Sequence, residues 1–79
     1  MERNSRWLRP MSNRAELGAV IATARKAKAL TQPALSELTG IQQAEISRIE
    51  RGAGNPTAAT LLRLADGLGQ NLTLVPAED

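Results

Sequence analysis

The chain has 79 residues, a formal net charge of +2, one aromatic side chain, no Cys and no His. That length allows one domain, and a domain so small buries only roughly 60% of the surface of its unfolded chain. The composition excludes disulfides and thiolate metal sites, removes the commonest general base, and offers neither clustered carboxylates nor a Gly-rich phosphate loop, so we expect no enzyme, no metal and no cofactor.

Residues 1–12 read as a loose basic arm. Arg3, Arg6 and Arg9 recur around Trp7, and Pro10 then interrupts. Trp7 is either an anchor or part of a disordered tail. The stretch MERNSRWLRPMSN lacks the apolar core of a secretory signal. No apolar run approaches the ~20 residues of a membrane helix. Residues 1–28 carry seven basic and two acidic side chains, against three basic and six acidic in residues 29–79. The asymmetry suggests an anionic partner approached by the first third of the chain, although a merely lopsided soluble surface looks the same.

Asn13 and Glu16 form a capping-box-like pair ahead of a first helix over residues 14–28. Leu17, Val20, Ile21 and Ala24 share one apolar face. Arg25, Lys26 and Lys28 lie near the C-terminus, where the macrodipole favours cations. Thr31 caps a second helix with Pro33 in its first turn, Leu35 and Leu38 on the inner face and Gly40 at its end. The third helix spans residues 43–51, with Ile46 and Ile49 inward and Gly52 as stop. GAGNP is a loop. Thr57 then caps a fourth helix over residues 58–68, with Leu61, Leu64, Ala65 and Leu68 inward. In NLTLV, Leu72 and Leu74 alternate with Asn71, Thr73 and Val75 before Pro76, which predicts a short strand.

Helix, short Gly-containing turn, helix is the helix-turn-helix layout, in which the second of the two helices meets base edges in the major groove. Small all-helical domains share that layout, but TQPALSELTGIQQAEISRIERGAGNP goes further. It closely resembles the phage-repressor/Cro type of helix-turn-helix, the XRE family. The matching residues are Thr31, Gln32, Leu35, Gly40, Ile41, Ile46, the run Arg48-Ile49-Glu50-Arg51-Gly52, and Asn55-Pro56. TAATLLRLADGLGQ fits the family's next helix, and the likeness covers about residues 14–75. Ser36 and Pro33 depart from the usual small Ala and polar residue, without threatening the turn.

The resemblance implies DNA binding. Gln42 and Gln43 match base-reading positions, with Ala44 and Ser47 on the same side. Gln can bond adenine N6 and N7, and Ala can touch a thymine methyl. Arg48 reaches a phosphate or a guanine. Glu45 either accepts from cytosine N4 or satisfies a free N–H of its helix. By resemblance Gln32, beside Thr31, holds a backbone phosphate with help from the helix N-terminus. Asn55 and Thr57 are phosphate candidates too, and equally a turn residue and an N-cap. The resemblance also makes Arg25 and Glu50 an ion pair that bridges the first and third helices, structural and not catalytic.

A lone strand cannot satisfy its own backbone groups. The expected partner of Asn71, Leu72, Thr73, Leu74 and Val75 is the same segment of a second copy, paired antiparallel in an isologous dimer. Such a dimer supplies the stabilising partner that small chains need. It sets two recognition helices near 34 Å apart on a palindromic site. ELGAVIATARKAKALTQ and LGQNLTLVP resemble antitoxins of the HipB type. That likeness implies a homodimer that represses its own operon and binds a HipA-like kinase toxin. A toxin-binding surface is expected away from Gln42 and Gln43, on the outer face of helices one and four or on residues 76–79.

The expected fold is thus an all-α, four- to five-helix repressor-like domain with a short C-terminal β-strand pairing across a dimer. Its parts are a basic arm at 1–12, a DNA-binding domain at 13–70, a dimerising strand at 71–76 and a tail at 77–79. The arm's arginines are candidates for a minor groove. The expected protein is a cytoplasmic, sequence-specific transcriptional repressor and antitoxin. A stand-alone phage-type repressor, or chiefly a protein-interaction subunit with weak DNA binding, are the alternatives.

Overall fold

A computed structural model of the chain describes residues 13–72. Four helices fill most of that span: α1 (Arg14–Ala27), α2 (Gln32–Thr39), α3 (Gln43–Glu50) and α4 (Ala58–Gly67). Three of them start on a side-chain cap. Asn13 Oδ1 accepts from the Glu16 N–H at 2.9 Å, Thr31 Oγ1 from Ala34 at 3.1 Å, and Thr57 Oγ1 from Thr60 at 3.1 Å. Each bond satisfies an N–H that a first turn leaves unpaired. At α3, the N-cap Gln42 makes no such bond. Lys28, Arg51 and Leu68 serve as C-caps, so α1, α3 and α4 each end one residue before the expected bound.

The core consists of Ile21 from α1, Leu35 from α2, Ile41 from the turn, Ile46 and Ile49 from α3, and Leu64 and Leu68 at the end of α4. Leu17, Ala24, Leu30 and Leu61 pack around it. Helical spacing places these residues on one face of each element. The same spacing assigns Val20 and Leu38 to the inner faces, yet they are 50% and 60% exposed. So small a core is closed by the centre of each apolar arc, and residues at the margins stay uncovered. Val20 instead lines an open apolar depression of about 450 Å³ between α1 and α4, with Leu17, Leu61 and Leu72.

The α1–α3 crossing is close. A Cβ placed on buried Gly18 would lie 2.3 Å from the Ile49 carbonyl oxygen and 2.7 Å from that of Glu50. Backbone therefore touches backbone there, and α3 takes its orientation from α1 at that point.

Beyond α4, Asn71 and Leu72 belong to no strand. Thr73, Leu74 and Val75 of the expected dimer strand lie outside the described residues, as do the arm at 1–12 and the tail. Among the described residues the fold is all-helical, and no helix is long and apolar enough to cross a membrane.

Candidate nucleic-acid interface

The turn between α2 and α3 is held by side chains of α2. Gly40 ends α2 in the left-handed region at φ +77, and its N–H donates to the Ser36 carbonyl at 2.8 Å. Ile41 is tied at both backbone groups. Its N–H donates to Thr39 Oγ1 at 3.2 Å, and its carbonyl accepts from Ser36 Oγ. Its side chain is buried in the core. Ser36, where the resembling family commonly has Ala, is thus a fastener of this turn. These bonds fix the direction in which the chain enters α3.

Positions along α3 advance by roughly 100° per residue. Ile46 and Ile49 point into the core. The opposite arc therefore holds Ala44, Ser47, Arg48 and also Arg51, with Gln43 at its edge and Gln42 at the N-cap. Gln42, Gln43, Ala44, Arg48 and Arg51 are exposed, and Ser47 is half-buried. Arg51 joins the arc seven residues after Ala44, a spacing readable in the sequence once the inward positions are known. Glu45 is half-buried in the first turn of α3 and makes no side-chain hydrogen bond among the described residues. A carboxylate there suits the positive end of the helix dipole.

Behind this arc lies a polar network. Arg25 grips Glu50 through two bonds, Nε to Oε2 at 2.7 Å and Nη2 to Oε1 at 3.0 Å, and its Nη1 donates to the Leu30 carbonyl at 2.8 Å. Gln32 Nε2 donates to Glu50 Oε1 at 3.0 Å. Residues of α1 and α2 thus converge on one carboxylate of α3, and Leu30 of the α1–α2 loop braces Arg25 from the other side. Burial pushes the Glu50 carboxyl up. The bonds from Arg25 and Gln32, with the charges of Arg25 and Lys26, outweigh burial and hold it below the ordinary carboxylate value. The hydrogen bond to Glu50 in turn raises Arg25. Both side chains are largely buried, so the pair orients α3 against α1 more than it stabilises the fold.

This network engages one amide hydrogen of Gln32 and leaves its second hydrogen as a donor. At the start of α2, Pro33 has no N–H, and the N–H groups of Ala34 and Leu35 are taken by the side chain and carbonyl of Thr31. One first-turn backbone donor, that of Gln32, remains beside its side chain. Thr57 Oγ1 caps α4 and donates to Thr60 Oγ1 at 3.1 Å. Asn55 is exposed in the loop that follows α3. Thr31 and Gln32 thus stand together at one helix start, whereas Asn55 and Thr57 follow the far end of α3.

Known proteins share this fold. Residues 16–77 match the family model described as a helix-turn-helix domain. An uncharacterized HTH-type transcriptional regulator of Haemophilus influenzae is 37% identical over 73 residues, which are 92% of this chain and 74% of that protein. The chain belongs to the XRE-like helix-turn-helix family of transcriptional regulators. Among solved structures, it is similar to an HTH_3 family transcriptional regulator from Vibrio cholerae at TM-score 0.70 and 34% identity. That match covers 73% of this chain but only a third of the Vibrio chain (33%). It is also similar to the HipB chain of a HipA-HipB-O2-O3 complex, at TM-score 0.77 and 26% identity, over 89% of this chain and 99% of that one.

Proposed function

We propose that this regulator binds a palindromic DNA operator as a homodimer and reads it through α3. The observation that carries the proposal is the exposed arc of α3, presented opposite Ile46 and Ile49 by a turn pinned at Ile41. Gln42 and Gln43 have the amides to bond adenine N6 and N7, and Ala44 has a methyl to meet that of thymine. Ser47 lines the same arc, and Arg48 reaches a guanine or a phosphate. Gln32 and Thr31 hold a phosphate at the start of α2, with Asn55 and Thr57 as further contacts past α3. Phosphate contacts set the register and base contacts the sequence. The second copy covers the depression lined by Val20 and Leu72, and residues 71–76 pair across the two-fold axis.

The test is a binding-site selection from random duplexes with the full chain, followed by titration of the selected site. Gln43→Ala is expected to lower specific affinity by about 1–3 kcal/mol and to relax one or two base positions. An unaltered base preference in this variant refutes base reading by α3.

A finer reading is that the regulator is the antitoxin of a type II toxin-antitoxin pair, acting in the cytoplasm on its own operon with a HipA-like kinase toxin. Its support is the near-complete coverage of HipB, which is solved in a complex with HipA. Co-expression with the product of the adjacent gene decides it. A kinase-like partner that copurifies and loses toxicity supports the antitoxin, and its absence favours a stand-alone regulator.

A further inference from the structure

Three arginines flank the turn where α1 begins and α3 ends. Arg14 Nη1 donates to the Gly54 carbonyl at 2.9 Å. Gly54, at φ +82, lies against Arg48, since a Cβ placed on it would sit 3.6 Å from Arg48 Cβ. Ala15 abuts Gly52, whose Cβ position is 2.9 Å from the Ala15 Cα. The start of α1 is therefore packed onto the turn that leaves α3, and this places Arg14 beside Arg48. Arg51 follows Arg48 by three residues, a helical neighbour at roughly 5–6 Å between Cβ atoms, and its Nε donates to the Ser47 carbonyl.

All three side chains are exposed. Among the described residues no salt bridge joins a carboxylate to any of them, and the nearby Glu50 is held by Arg25. Each guanidinium has five N–H donors. One is used at Arg14 and one at Arg51. Like charges on one face of the molecule repel one another, and an anion with several oxygens relieves that repulsion.

We infer that Arg14, Arg48 and Arg51 form a phosphodiester clamp that grips the DNA backbone beyond the C-terminal end of α3, with Arg14 supplied by α1. The inference rests on the DNA-binding reading above. A recognition helix meets base edges with its N-terminal residues, so its far end lies nearer the groove wall, where phosphates are the ligands. The left-handed Gly52 and Gly54 turn the chain back so that the Gly54 carbonyl orients Arg14. Two helices then hold one strand from two sides.

The test is the salt dependence of DNA affinity, measured by anisotropy with the full chain on its selected site and on a scrambled duplex. Each arginine that neutralises a phosphate adds about 0.9 to the slope of log affinity against log salt. Arg14→Gln is expected to lower that slope by about 0.9 per protomer. It weakens both duplexes by the same factor and leaves the base preference as it was. Arg51→Gln does the same, and Arg14→Lys retains the slope. An Arg14→Gln protein that melts earlier but keeps its slope makes Arg14 a strut for Gly54 alone and overturns the clamp. So does a changed preference at one base pair. If the unaltered protein binds neither duplex, the DNA-binding reading falls with it; if it prefers its site while both arginine variants keep its slope, only the clamp falls.

Discussion

Gly18→Ala tests how closely α3 rests on α1. In an open helix this substitution stabilises by about 1 kcal/mol, because Ala has the higher helix propensity. Here the new methyl would lie 2.3 Å from the Ile49 carbonyl oxygen, more than 1 Å short of ordinary van der Waals contact at 3.4 Å. It would also meet the Glu50 carbonyl oxygen at 2.7 Å and its carbon at 2.9 Å. All three atoms are backbone, so none can swing away, and relief requires α1 and α3 to separate. Overpacking of this kind costs typically 1–3 kcal/mol. With rigid neighbours the upper end applies, and after the propensity gain the net loss is about 2 kcal/mol. At about 4–8 °C per kcal/mol for a domain of this size, the melting temperature falls by roughly 10 °C. Thermal and urea melts followed by circular dichroism measure it. Gly40→Ala is the comparison: nothing lies within 4 Å of its Cβ position, and only the left-handed φ of +77 is penalised, at about 1–2 kcal/mol. A Gly18→Ala protein as stable as the unaltered chain, or more so, refutes the tight α1–α3 contact.

Glu50 makes stability depend on acid. Its folded carboxyl titrates below the ordinary value of 4.5, so its contribution is complete above that pH and is lost as pH falls through the lower, folded value. Urea midpoints of the unaltered chain should therefore drop from pH 5 downward, whereas Glu50→Gln, already weaker at pH 7, should show a flatter acid limb; parallel limbs contradict the assignment. Ser36→Ala removes the donor to the Ile41 carbonyl and is expected to cost about 1 kcal/mol in a denaturant melt, despite restoring the residue common in the resembling family. A neutral result shows that the turn holds without the hydroxyl.

Local chemistry determined much of this protein. Asn13, Thr31 and Thr57 mark helix starts because a side-chain oxygen and an N–H three residues on are close in any chain that turns helical. Gly40 marks the turn because a left-handed residue favours Gly. The outward placement of Ala44 and Arg48 follows from the inward spacing of Ile46 and Ile49. Tertiary packing decided the rest. Val20 and Leu38 obey the apolar period yet stay exposed, because neighbouring helices do not reach the margins of their arcs. Gly18 looks like an ordinary weak point in a helix until the α3 backbone is laid across it. Gln32 meets Glu50 across 18 residues, and Arg14 meets Gly54 across 40. Periodicity and capping act over a few residues, so they specify elements and their faces. Which faces touch, and which charged side chains are left facing solvent together, depends on crossings between elements distant in the chain.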